Sequence, residues 1–289
     1  MTLIRKIRKV LRSQPTIEGA GVHLNRVFGF NEVSFFDPFL LLDDFRSDYP
    51  DHYLKGFPWH PHRGIETITY VLTGDVEHGD SLGNQGVIGS GDVQWMTAGS
   101  GIIHQEMPRG DSDGRMHGFQ LWANLPAREK MMTPRYRDLS SAQIPVVQLS
   151  GEVIVKVISG EVAGVRGPVA DIVIEPEYLD VTVPAGVLFH HATKTSHTVF
   201  VYVIDGQGIF GEEADSAADA DNGTLVLFED GDELVAAAGE TGVRFLLIAG
   251  KPLGEPVAWR GPIVMNTQAE LQVAFEEYRQ GTFIKHSDS

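Results

Sequence analysis

Short runs of alternating or β-branched apolar residues recur along the whole chain: Glu66–Leu72, Asp92–Thr97, Val153–Ile158, Thr198–Ile204, Thr224–Phe228 and Val243–Ile248. Most are closed soon afterwards by Gly or Asp, and a period of two residues over four to eight positions is the mark of a strand. The 32 Gly and 15 Pro are spread along the chain, as tight turns between many short strands require. One stretch breaks the pattern. Thr267 and Glu270 form a capping box, Leu271, Ala274, Phe275 and Tyr278 follow at helical spacing, and Gly281 closes the segment. The pattern therefore predicts an all-β chain with few helices, one of them at about 267–281.

The strands also repeat. Tyr70-Val-Leu-Thr-Gly74 returns as Tyr202-Val-Ile-Asp-Gly206, an offset of 132, and Gly91-Asp92 with Ala98-Gly99 returns as Gly231-Asp232 with Ala238-Gly239, an offset of 140. Two matches in the same order point to one small barrel that has been duplicated. Ser140, Ser141 and Pro145 interrupt the patterning between them, which predicts domains at 1–145 and 146–289. A length of 289 residues suits two such cores.

Composition narrows the chemistry. The formal charge of −16 repels phosphate backbones and argues against direct nucleic-acid binding. With no cysteine, disulfides, thiolate metal sites and thiol nucleophiles are excluded, so any metal must use imidazole and carboxylate. Arg5, Lys6, Arg8, Lys9 and Arg12 near the start read as a solvated basic edge strand or arm, with no apolar stretch of signal-peptide length beside them. No run approaches the ~18 apolar residues of a membrane span. These features predict a soluble cytoplasmic protein, or a nuclear one in a eukaryote, without membrane partners.

Two pairs carry the candidate chemistry. His60-Pro-His62 and His104-Gln-Glu106 each place two ligating side chains two residues apart, which on a strand projects both from one face. If the two strands face one cavity, three imidazoles and a carboxylate converge, a set that suits a first-row divalent metal and iron in particular. Four protein ligands leave two octahedral positions open, as a catalytic metal needs. Carried through the offsets, the ligand positions become Ala192, Lys194, Arg244 and Leu246, so the second half lacks a matching set; His190, His191 and His197 lie off register and read as ordinary polar residues.

At this point the residues resemble a known family. Asp37–Asp44, Phe57–Thr67, Gly91–His104, Gln105-Glu106-Met107, Gln120–Leu125 and Gly261–Thr267 look like the signature stretches of pirin, and they span nearly the whole chain. The resemblance implies a bicupin of two face-to-face β-barrels with one metal in the N-terminal barrel, on His60, His62, His104 and Glu106. Glu66 stands where the general cupin pattern has a ligand, yet in pirins the carboxylate comes from the later pair. Gly56 precedes His60 by four residues rather than six, a departure from the general cupin spacing.

The implied activity is that of a quercetin 2,3-dioxygenase. A flavonol and O2 would meet at an Fe(II) centre, or one of Mn, Ni, Cu, Co or Zn, with Glu106 as base and Phe57, Trp59, Arg63 and Met107 as pocket neighbours. His117 reads as capping a strand. The alternatives are an iron-dependent regulator that acts through a protein partner, and a dioxygenase of another enediol or phenol. A monomer is expected.

Overall fold

A computed structural model describes residues 2–211 and 217–285. The chain divides into two compact units, each built almost entirely of antiparallel strands. One comprises Gln14–Phe35, Phe39–Ser141 and Leu253–Ser289, and the other Met1–Ser13, Phe36–Pro38 and Ala142–Pro252. They are called the N-terminal and C-terminal barrels below.

The expectation of contiguous domains at 1–145 and 146–289 is therefore corrected at both ends. The basic strand Ile7–Arg12 pairs with Thr224–Phe228 and forms the edge of the C-terminal sheet. Its alternation of half-buried and exposed residues suits an edge that covers a core on one side and meets water on the other. At the other end, the stretch from Leu253 belongs to the N-terminal barrel, because its apolar side chains Ala258, Ile263, Met265, Leu271, Ala274 and Phe283 are buried in one cluster there.

Helix Gln268–Gln280 begins and ends as expected. Thr267 accepts from the Glu270 amide while Glu270 reaches back to the Thr267 amide, and Gly281 closes the last turn in the left-handed conformation that glycine adopts without strain. No helix among the described residues is long and apolar enough to cross a membrane.

The N-terminal barrel has two main sheets and a two-stranded one, Ala258–Arg260 with Ile263–Met265. Seven strands run in the spatial order Arg135–Leu139, Val93–Thr97, Ile65–Thr73, Met116–Asn124, Phe39–Ser47, Val22–Phe28 and Gln14–Glu18. Four more run Phe57–His62, Ile102–Arg109, Asp75–Asp80 and Gln85–Ile88. The C-terminal barrel is built on a nine-stranded sheet whose longest strands are Thr198–Phe210 and Glu233–Gly250.

The ladders give the true internal alignment. Thr198–Phe210 pairs with Glu233–Gly250 as Ile65–Thr73 pairs with Met116–Asn124, and Leu188–Ala192 pairs with Glu233–Gly250 as Phe57–His62 pairs with Ile102–Arg109. His60 stands opposite His104, and Phe189 opposite Ala236. The counterparts of the ligand positions are therefore Phe189, His191, Ala236 and Ala238, not Ala192, Lys194, Arg244 and Leu246. The offset of 140 failed because Gly91-Asp92 precedes Val93–Thr97, whereas Gly231-Asp232 precedes the strand that matches Ile102–Arg109.

Candidate metal centre

Period-two alternation on Phe57–His62 turns His60 and His62 to one face, and the neighbouring strand brings His104 opposite His60. His60 Nε2 lies 3.0 Å from His62 Nε2 and 3.0 Å from His104 Nε2. The three donor nitrogens all fall within 4.8 Å of one another. His62 and His104 are buried, and that burial, reinforced by the neighbouring imidazoles, holds both well below the ordinary histidine pKa. They are neutral rings at pH 7.

Their tautomers follow from the outer hydrogen bonds. His60 Nδ1 is 2.9 Å from the Pro58 carbonyl and His62 Nδ1 is 3.0 Å from the Pro262 carbonyl. A carbonyl only accepts, so both Nδ1 atoms carry the hydrogen and both Nε2 atoms present lone pairs. Two lone pairs 3.0 Å apart repel unless a cation lies between them. Nitrogens about 2.1 Å from one first-row ion, at right angles to each other, lie about 3 Å apart. The cluster fits a divalent metal, with carbonyl partners that fix the His60 and His62 rings as such sites require, while His104 Nδ1 is buried without a hydrogen-bond partner among the described residues.

Glu106 stands two residues from His104 on the same inward face and is buried. It lies outside the tight group of three imidazoles; its carboxylate accepts from Thr69 Oγ1 at 2.9 Å and from Gln120 Nε2 at 2.8 Å. Gln120 is oriented in turn by Trp122, whose indole donates to its Oε1 at 3.1 Å. A ladder irregularity between His104 and Glu106 separates the two positions.

A cavity of about 510 Å³ opens beside the histidines. Phe57 lines it with His60 and His62, but Trp59, Arg63 and Met107 are absent from its wall. Adjacency in sequence misled here, since the neighbours of inward residues on a strand point outward. Trp59 is 53% exposed. Arg63 is buried on the far side, where it donates to Ser100 O, Glu277 Oε2 and Phe283 O. Together with Lys130, whose Nζ donates to Gly64 O, Asn124 Oδ1 and Val264 O, it fastens the stretch that carries Pro262.

The remaining sequence candidates have structural partners. Buried Glu66 accepts from Thr97 Oγ1 at 2.6 Å and Trp95 Nε1 at 3.1 Å. His117 faces Asp44 at 3.6 Å. His191 pairs with Glu177 at 3.0 Å, and Arg244 with Asp180 at 2.6 Å. What the sequence did not reveal is the far wall of the cavity: Arg26, Leu41, Asp43 and Trp259. Gln120 and Trp122 share a strand face, a signal that the spacing i, i+2 could have supplied.

Comparison with known proteins finds the same two halves, with the C-terminal family model running on into the stretch from Leu253 that packs in the N-terminal barrel. The pirin family model matches residues 21–123 and that of the pirin C-terminal cupin domain matches residues 178–284. A pirin-like protein of Caulobacter vibrioides is 45% identical over 97% of this chain and 99% of its own length. Pirin-1 of Arabidopsis thaliana is 43% identical over 94% of this chain and 92% of its own. Among solved structures, a quercetin 2,3-dioxygenase from Acinetobacter baumannii superposes with a TM-score of 0.87 at 30% identity, covering 97% of this chain and 98% of that one. Matching family models over most of the chain, and two cupin barrels of which one gathers three imidazoles, establish that this chain belongs to the pirin family.

Proposed function

We propose that the protein is a metal-dependent dioxygenase of a flavonol such as quercetin, with His60, His62, His104 and Glu106 holding one divalent ion, Fe(II) by preference. The observation that carries the reading is the convergence of three imidazole nitrogens beside an aromatic-walled cavity. The structural likeness to a quercetin 2,3-dioxygenase supports it. When bound, the metal supplies polarisation and orientation of the 3-hydroxyl and 4-carbonyl oxygens of the flavonol.

The chain's own side chains do the rest. Phe57, Trp122 and Trp259 flank a flat substrate and keep water from it. Glu106 takes the 3-hydroxyl proton, and the resulting flavonolate is electron-rich enough to react with O2, which opens the heterocycle and releases carbon monoxide. Thr69 and Gln120 hold the carboxylate in place for that transfer. Imidazole and carboxylate also accept Mn, Co, Ni, Cu and Zn, so the Fe(II) preference is part of the proposal.

The test is aerobic turnover of quercetin by protein reconstituted with Fe(II), with carbon monoxide as the product measured. Turnover by the wild type that is lost in His60→Ala and Glu106→Gln supports the dioxygenase. Full iron loading without turnover would favour a metal-dependent regulator that works through a protein partner.

A further inference from the structure

A row of polar side chains crosses the N-terminal sheet on its inner side. Register places Thr69 opposite Gln120, Gln120 opposite Asp43, and Asp43 opposite Arg26. The row begins at the carboxylate of Glu106, which Thr69 and Gln120 hold. Gln120, Asp43 and Arg26 all line the cavity. Adjacent strands are about 4.8 Å apart, so Arg26 is carried two strands, about 10 Å, beyond Gln120.

Arg26 is built into its place. Its Nε and Nη2 donate to the two oxygens of Asp43 at 2.9 Å each, and its Nη1 donates to Glu18 Oε1 at 2.8 Å. Three of the five guanidinium N–H groups are thereby used, and two are left. Asp43 is buried, while the Arg26 side chain is 29% exposed and that of Glu18 42%, so the outer part of the cluster is within reach of a ligand. Two carboxylates around one guanidinium leave a local charge of −1. Such a group accepts from an O–H and donates to the same oxygen, and it repels an anion.

From this placement we infer that Arg26, Asp43 and Glu18 form a distal subsite that reads a phenolic hydroxyl on the substrate, remote from its chelating oxygens, and discriminates against a carboxylate there. The cluster is a specificity determinant, separate from the proton transfer at Glu106. The inference rests on the flavonol reading of the cavity and sharpens it. The preferred substrate is a neutral, hydroxylated, multi-ring aromatic that packs on the cavity wall of Phe57, Trp122 and Trp259.

Three flavonols test it: one with no hydroxyl beyond the 3-position, one with a catechol as its pendant ring, and one with a carboxylate on that ring. Binding to the metal-loaded protein is measured by titration calorimetry, and kcat/KM by oxygen consumption. Wild type should favour the catechol over the plain compound by roughly 10-fold or more, the worth of one hydrogen bond to a charged group, and should bind the acid less tightly than either. Glu18→Gln, at an exposed position, and the double variant Arg26→Met with Asp43→Asn, which leaves no unpaired buried charge, should bring the catechol preference towards one.

A wild type without the preference, or variants that keep it, would overturn the subsite. Catechol-selective binding with no turnover of any of the three would retain the subsite and sink the dioxygenase. Turnover of all three at similar kcat/KM would do the reverse.

Discussion

The two barrels share a ladder but differ in what faces inward. In the C-terminal barrel Val199, Val201, Val203, Phe245, Leu247, Ala249, Ala236 and Phe189 belong to one buried apolar cluster. At the matching positions of the N-terminal barrel stand Thr67, Thr69, Val71, Gly118, Gln120, Trp122, His104 and His60. The facing pair Val201 and Leu247 thus corresponds to Thr69 and Gln120, which hold Glu106. One copy of the fold keeps its interior as a core; the other gives up part of that core for a site. Its apolar residues fall into separate clusters, one around Val22, Phe45 and Val71 and another around Leu40, Ile65 and Ile102. Buried polar groups are stable where they are partnered, and Glu106, Thr69, Gln120 and Trp122 partner one another in one chain of hydrogen bonds.

The largest expected effect separates the barrels by metal content. His104→Ala should lose its bound ion altogether, while His191→Ala, the counterpart of the His62 change, should retain one ion per chain on elemental analysis. Retention by the first or loss by the second would break the comparison. Next in size is Phe245→Ala, at a fully buried position in the C-terminal core. Denaturant unfolding should show it less stable by about 4 kcal/mol, with metal per folded chain unchanged.

A third effect concerns the clamp behind the metal centre. Burial lowers the Lys130 ammonium to about 7. The unfolded chain, with an ordinary lysine near 10.4, binds more protons between those values, so folding stability should rise as pH climbs from 7 to 10. The contribution is about 3 kcal/mol over that range at about 1.4 kcal/mol per tenfold. It appears as the difference between wild-type and Lys130→Met unfolding curves, and parallel pH dependences in the two proteins would refute it. Smallest is Thr69→Val, which copies the C-terminal barrel's Val201. Loss of one buried hydrogen bond to Glu106 should lower kcat for flavonol by about tenfold and global stability by about 2 kcal/mol.

Much of this was legible in the sequence, for physical reasons that can be named. Strands and the terminal helix follow from local periodicity, and Thr267 with Glu270 marks the helix start to the residue. The spacing i, i+2 puts His60 with His62, and His104 with Glu106, on one face of a strand, while the meeting of His60 with His104 comes from the pairing of the two strands. What local pattern cannot supply is pairing across long separations. Neither the return of Pro262 to His62 nor the position of Arg26 beside Asp43 is written in any spacing, since each depends on strand order. The same gap explains Arg63: as the neighbour of His62 it reads as a pocket residue, and strand alternation sends it to Glu277 instead. Tyr70 and Tyr202 occupy matching places in the two barrels, whereas Gly91-Asp92 and Gly231-Asp232 are alike only as turns and precede different strands.

The central claim is that three imidazoles of one barrel share a single ion. X-ray absorption on protein reconstituted with one equivalent of Fe(II) addresses it without reference to turnover. Three imidazole nitrogens together with oxygen donors are expected around the iron at about 2.1 Å. A shell of oxygens alone, or one with fewer than three imidazoles, would contradict it.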